Sequence, residues 1–244
     1  MDEQVEIMDR DRPSGAAGRS VAARGKFVTF EGGEGTGKST QAAMLAQRLE
    51  ALGIRVLLTR EPGGSPGAEI IRHVILSGAA KPLGPEAEAM LFAAAREDHV
   101  NCAILPALES GRWVVCDRFA DSTRVYQGTL GKLDGRFIKA LERVSIGDLR
   151  PDLTFVLDVP VALGLQRAAQ RRGESAADRF ESEQIEFHET LREAYLALAA
   201  AEPERCAVID AGASKDEVAE RVWEIVTAKF DAVPIPATHQ DLAS

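Results

Sequence analysis

The sequence predicts an α/β fold, a five-stranded parallel sheet with helices on both faces. Three observations predict it. Five short apolar runs read as strands: 27–30, 54–59, 113–117, 153–158 and 206–209. Segments of helical periodicity separate them, and parallel neighbours need such crossovers. The runs are nearly continuous in Val, Ile, Leu and Phe rather than alternating with polar residues, so they suit a sheet covered on both faces.

Taken in order, Phe27-Val28-Thr29-Phe30 leads into a glycine-rich loop. Ala42, Leu45, Leu49 and Leu52 then recur at helical spacing, with Gly53 as the stop. The second strand ends in Arg60-Glu61-Pro62-Gly63-Gly64, which cannot be helical, and residues 66–78 suit a short helix. Gly84-Pro85 opens a long Ala- and Leu-rich helical run to about Ser110, and Pro106 predicts a kink in it. After Trp113–Asp117, residues 118–127 read as a loop turning into helix, and Phe137–Ile146 as helix. Pro160 opens the helix after the fourth strand, and Arg171-Arg172-Gly173-Glu174-Ser175 is a polar break. Glu181–Ala200 is a long amphipathic helix. Ser214-Lys215-Asp216-Glu217 is a capping box before a closing helix with Val218, Val222, Ile225 and Val226 on one face. There is no internal repeat.

Composition narrows the class. A chain of 244 residues can bury one sizeable core. A net charge of −9 argues against nucleic acid or an anionic membrane as the main partner. No apolar run approaches the length of a membrane span. Three widely spaced cysteines form no disulfide or zinc pattern, which points to a reducing, cytoplasmic setting. Residues 1–24 lack the apolar core of a secretory signal and read as a disordered extension, and 231–244 as a tail. The structured domain is expected over 25–230.

The loop Gly32-Gly33-Glu34-Gly35-Thr36-Gly37-Lys38-Ser39-Thr40 matches the phosphate-binding pattern G-x-x-x-x-G-K-[ST] between a strand and a helix. Its backbone N–H groups and the helix N-terminus form an anion cradle. Gly32, Gly33, Gly35 and Gly37 allow positive φ and close approach. Lys38 is placed to reach the β- and γ-phosphates of ATP, and the Ser39 hydroxyl to ligate Mg²⁺. Asp117 ends an apolar strand, where it can hold the water shell of Mg²⁺. Arg118 beside it suits anionic oxygens. Arg60 ends the neighbouring strand, and two strand-end arginines near one cradle imply a second phosphate group. Ligands of such sheets bind at the carboxyl ends of strands, so loops 31–39, 60–64 and 117–123 should meet. A switch GTPase is excluded, because its base-reading N-K-x-D is absent and the one asparagine, Asn101, precedes Cys102. A small kinase and a regulatory ATPase remain open.

An ordered set of motifs then resembles one family. It comprises Phe-x-x-Glu-Gly with Gly-Lys-Ser-Thr, Thr59-Arg60-Glu61-Pro62-Gly63-Gly64, Phe92 with Arg96, and Asp117-Arg118 with Ser122-Thr123 and Tyr126-Gln127-Gly128. Arg150-Pro151-Asp152-Leu153-Thr154 with Leu157-Asp158-Val159, and Asp178-Arg179-Phe180-Glu181, complete it. From about Gly25 to Phe230 the chain resembles bacterial thymidylate kinases. The resemblance implies the phosphate-loop nucleoside monophosphate kinase fold, transfer of the γ-phosphoryl group of ATP to dTMP, and a homodimer. It implies that Phe92 stacks on the pyrimidine while Arg96 donates to thymine O4. Tyr126 would pack against C2′ of the sugar, and Thr123 would lie near the base. Glu34 would lie near the sugar 3′-hydroxyl or a metal-bound water. A lid at about 168–180 would supply the arginine for the moving phosphoryl, with Arg172 as the candidate. Relatives often alternate arginines here, whereas this chain has Arg167-Ala168-Ala169-Gln170-Arg171-Arg172.

Overall fold

The computed structural model describes residues 24–172 and 183–230, with the side chain of Arg172 outside the description. The tail at 231–244, all but the last residue of the extension at 1–24, and most of the expected lid lie outside the described residues.

Five parallel strands form one sheet in the order β2-β3-β1-β4-β5: β1 Phe27–Glu31, β2 Val56–Arg60, β3 Trp113–Asp117, β4 Leu153–Asp158 and β5 Cys206–Asp210. The second strand begins at Val56 rather than Ile54 and includes Arg60. Strand order reverses about β1, so the loop after β1 lies at the crevice where this class of sheet binds ligands. Register follows from pairs such as Thr29 with Cys116 and Thr29 with Thr154.

Both faces of the three central strands are covered, which explains their apolar runs, whereas the edge strands expose Leu58 of β2 and Val208 of β5. Val28, Phe30, Phe155 and Leu157 pack with Leu45 and Leu49 of α1 (Lys38–Ala51) and with Val222 and Val226 of α9 (Lys215–Lys229). Phe27, Val114 and Cys116 pack on the other side with Val100, Ile104 and Leu108. Each fully buried Phe or Leu contributes roughly 1.5–3 kcal/mol. The polar Thr29 is satisfied within this core by Thr154, Oγ1 to Oγ1 at 2.8 Å. The capping box is formed: the Ser214 hydroxyl accepts from Glu217 N at 3.3 Å, and the Glu217 carboxylate accepts from Ser214 N at 3.0 Å.

The long run after Gly84 comprises α3 (Pro85–His99), a wider π-type turn at Val100–Ile104, and α4 (Leu105–Glu109). Pro106 therefore does not simply kink one helix. A proline ring collides with the carbonyl four residues back and supplies no N–H, and the wider turn just before it absorbs both defects. The remaining helices are α2 (Pro66–Leu76), a single turn α5 (Ala120–Thr123) continuing into a π-type stretch at Arg124–Leu130, α6 (Gly135–Ile146), α7 (Val161–Arg172) and α8 (Ile185–Ala201). Of the polar break expected at 171–175, Arg171 and Arg172 belong to α7, and residues 173–175 lie outside the described residues.

Candidate active site

The loops after β1, β2 and β3 converge as expected. With α3, α5 and the end of α7 they enclose a cavity of about 370 Å³. Glu34, Lys38, Ser39, Arg60, Phe92, Arg96, Asp117, Arg118, Thr123 and Tyr126 all line it. A second cavity, about 400 Å³, lies across the phosphate loop among Gly35, Thr36, Gly37, Thr40, Arg167, Arg171, Ser214 and Lys215.

The phosphate loop is shaped by its backbone. Gly35 sits at φ +68°, and a Cβ there would lie 1.8 Å from the carbonyl oxygen of Gly164, so α7 packs directly on the loop. Gly33 departs from the expectation, for it is absent from the positive-φ glycines and a Cβ would have space. Its part is its carbonyl, which accepts from Lys38 Nζ at 2.6 Å and from Thr36 Oγ1 at 3.1 Å. Gly37 opens α1 with no side-chain cap, so no side chain occupies the first-turn N–H groups of a helix end that lines both cavities. Burial, reinforced by the nearby Arg118 charge, lowers the Lys38 ammonium to a pKa of about 8.

At the end of β3, the Ser39 hydroxyl donates to the Asp117 carboxylate. Arg118 then adopts φ +69°, a conformation that costs a non-glycine residue roughly 1–3 kcal/mol. Its partners hold it there. Its guanidinium donates to Glu34 Oε1 at 2.6 Å, Tyr195 Oη at 3.0 Å, Gly32 O at 3.1 Å and Ser122 Oγ at 3.3 Å. The ring of Tyr126 lies 5.2 Å beneath it, and Tyr126 also donates to Glu34 at 3.2 Å. Burial would raise the Glu34 carboxyl, but Arg118 and Lys38 outweigh it and hold the pKa at about 2. Glu34 is thus fixed as an anion inside the site.

Arg96 is 3% exposed, which rules out a surface charge. It donates to Glu61 Oε2 at 2.7 Å, Thr123 Oγ1 at 2.9 Å and Phe119 O at 3.2 Å. Phe92 lies one turn before it on α3, half-buried at the cavity wall. Arg60 is half-exposed and pairs with Glu69 at 3.1 Å. Arg172 ends α7, but its side chain lies outside the described residues. Its neighbour Arg171 lines both cavities, and its charge helps hold Glu34 ionised.

Several site residues escaped the sequence reading. Glu61, between Arg96 and His99, sits at a cis Glu61–Pro62 bond, and the one hint was an acid before proline at a strand end. Arg72 lines the cavity and ties α2 to the carbonyl of Pro62. Glu31 is buried and accepts from Phe119 N and Ser122 Oγ, both at 2.7 Å, and from Tyr195 Oη at 3.2 Å. Burial and the nearby Asp121 raise its carboxyl to a pKa of about 7.

A phosphate cradle at the switch point of a parallel sheet, facing an arginine-lined cavity with an aromatic wall, defines a phosphate-loop phosphotransferase with a second ligand site. The comparisons name the family. The thymidylate kinase family model matches residues 30–222. The chain is 60% identical over 225 residues to the thymidylate kinase of Bradyrhizobium diazoefficiens, covering 92% of this chain and 98% of that one. It is 64% identical over 208 residues to that of Nitrobacter winogradskyi, covering 85% and 90%. Among solved structures, thymidylate kinase from Ehrlichia chaffeensis superposes with a TM-score of 0.67 at 32% identity, covering 84% of this chain and 99% of that chain. The chain belongs to the thymidylate kinase family.

Proposed function

We propose that this enzyme phosphorylates dTMP to dTDP with ATP as donor. Family membership supports the reaction, and one observation of the site carries it: the cavity that Lys38 lines is also lined by the Phe92–Arg96 pair of α3 and by the strand-end arginines Arg60 and Arg118. An aromatic face and a guanidinium suit a pyrimidine carbonyl, and two guanidinium groups suit a phosphate.

In this reading the loop from Gly32 to Thr40 cradles the triphosphate. The second cavity takes the adenosine half of ATP. Phe92 stacks on thymine, Arg96 donates to O4, Thr123 lies near the base, and Tyr126 packs against the sugar. Arg60 and Arg118 hold the acceptor phosphate. A phosphate oxygen of dTMP attacks the γ-phosphorus, and the bond from that phosphorus to the β–γ bridging oxygen breaks, leaving ADP. With a second phosphate pKa near 6, the attacking oxygen is already largely ionised at neutral pH. No strong base is required, and the protein supplies alignment and charge stabilisation. Lys38 and Arg118 neutralise charge around the transferring group, joined from α7 by the proposed Arg172 with its described neighbour Arg171.

The oxygens of Ser39 and Asp117 stand together at the cavity floor, a hard donor set that fits Mg²⁺. Ser39 would hold the ion directly and Asp117 through water, and bound Mg²⁺ would neutralise the β- and γ-phosphates. A homodimer is supported by Ile70, Met90 and Val144, exposed apolar residues on α2, α3 and α6, with α3 packed against both others. No helix among the described residues is long and apolar enough to cross a membrane, and the acidic net charge fits a cytoplasmic enzyme that binds no nucleic acid.

The test is ADP release with dTMP, dUMP, dCMP or AMP as acceptor. The reading requires the highest kcat/KM with dTMP, and preference for another acceptor would refute it.

A further inference from the structure

Phe92, Arg96 and His99 form one stripe on α3, at spacings of four and three residues. The first two line the acceptor cavity, whereas His99 does not. His99 is completely buried, and both of its ring nitrogens are engaged. Nδ1 lies 3.1 Å from Glu61 Oε1, and Nε2 lies 2.8 Å from Thr59 Oγ1. The other carboxylate oxygen of Glu61 accepts from Arg96 Nε at 2.7 Å. A carboxylate can only accept, so Nδ1 carries the proton toward Glu61. The loop after β2 is shaped around this ring: a Cβ on Gly64, which sits at φ +88°, would come within 2.3 Å of His99 Nε2 and 2.4 Å of Thr59 Oγ1.

We propose that His99 is a positioning residue for acceptor-base recognition: anchored by Thr59, it fixes Glu61, and Glu61 fixes the guanidinium plane of Arg96. This rests on the acceptor-pocket reading above. Three of the five guanidinium N–H groups of Arg96 are committed to Glu61, Thr123 and the carbonyl of Phe119. The plane of the fork therefore decides where the remaining two N–H groups aim. Without the donor from His99, Glu61 Oε1 is left short of a partner in a buried site, and the carboxylate swings to find one. Arg96 turns with it, while the phosphate loop, whose Lys38 and Thr36 bond to Gly33 and not to this chain of residues, is untouched. A histidine that only filled space would need neither of these hydrogen bonds.

The test is steady-state kinetics on purified full-length variants, with KM measured separately for dTMP and ATP. His99→Leu keeps the volume and removes the donor, and the KM for dTMP should rise about tenfold while that for ATP stays within about twofold. His99→Asn puts an amide N–H near the place of Nδ1 and should bring the KM for dTMP back to within about threefold of the parent. In an Arg96→Met background, His99→Leu should add no further change in the KM for dTMP. Parallel rises in both KM values, an unchanged KM for dTMP, an equal defect in His99→Asn, or a full additional effect in the Arg96→Met background would each overturn the proposal. An unchanged KM for dTMP in Arg96→Met alone would overturn the acceptor-pocket reading, and this inference with it. If His99→Leu does not fold, Thr59→Val serves instead: it frees Nε2, and a smaller rise confined to dTMP supports the proposal, whereas no rise refutes it.

Discussion

The two halves of the site are built differently. On the acceptor side, buried side chains hold one another. Arg96, Glu61 and His99 form one chain of hydrogen bonds, and Arg118, Glu34, Tyr126 and Tyr195 form another. A third network stands behind them: Arg205 grips Asp121 with two bonds at 2.7 and 2.8 Å, and Arg124 ties Asp121 to Glu142 and Glu202. It anchors the turn that carries Ser122 and Thr123. On the donor side the frame is mostly backbone. Glycines shape the loop, and Arg167 donates to the carbonyls of Ala211 and Gly212 rather than to any carboxylate among the described residues. Backbone amides recognise a triphosphate whatever base it carries, whereas a fixed fork of side chains recognises one base. On the proposed reading, selectivity resides in the acceptor half and affinity for polyphosphate in the donor half.

The largest expected effect comes from the residue that joins the two halves. Arg118→Ala should lower kcat by about 10³–10⁵, by analogy with arginine fingers, while ATP binding stays measurable by calorimetry. Near-normal turnover would break the link between the halves.

Phe92→Ala should separate them. The KM for dTMP should rise about 10–100-fold, the worth of one stacked base, with that for ATP within about twofold. Equal weakening of both would signal a folding defect instead.

A pH titration sharpens the contrast. The donor-side cation is Lys38, with its pKa lowered to about 8, so kcat/KM for ATP should fall about tenfold per pH unit above pH 8. The acceptor cations are arginines, which keep their charge, so kcat/KM for dTMP at saturating ATP should show no such limb between pH 8 and about 9. Stability moves the other way. With a native pKa below the unfolded value, Lys38 binds fewer protons in the native state, and its contribution grows as pH rises from 8 toward 10.5.

The smallest effect concerns Glu31. Its raised pKa means that the native state binds the extra proton between pH 4.5 and about 7, so this contribution to stability is full below 4.5 and lost as pH passes 7. Thermal melts of Glu31→Gln should decline less between pH 5 and 8 than those of the parent. Identical profiles would show that Glu31 is not the titrating group.

The sheet was legible because each strand is an apolar run bounded by glycine or a polar turn, the three central ones almost wholly buried. The cradle was legible because it is local: every residue from Gly32 to Thr40 lies in one loop or in the first turn of α1 that follows it. The partners of the arginines were not. Arg118 meets Tyr195 across 77 residues and Arg124 meets Glu202 across 78, and nothing at either end marks the pairing. Tyr195 reads as an ordinary core residue of an amphipathic helix, and Glu61 as a solvated loop acid. Arg96 illustrates the same limit, since an arginine on an Ala-rich helix looks exposed until Glu61, Thr123 and the Phe119 carbonyl close around it. The wider turn before Pro106 was hidden for a different reason, because periodicity over so few residues cannot separate a π-type turn from an α-helical one.

The most direct measurement is a crystal structure of the protein with dTMP bound. The account places thymine on Phe92 with O4 toward Arg96 and the phosphate between Arg60 and Arg118, with Arg96 and Glu61 unmoved from their present positions. A nucleotide seated elsewhere, or an Arg96 that leaves Glu61 to receive it, would contradict a prebuilt acceptor half.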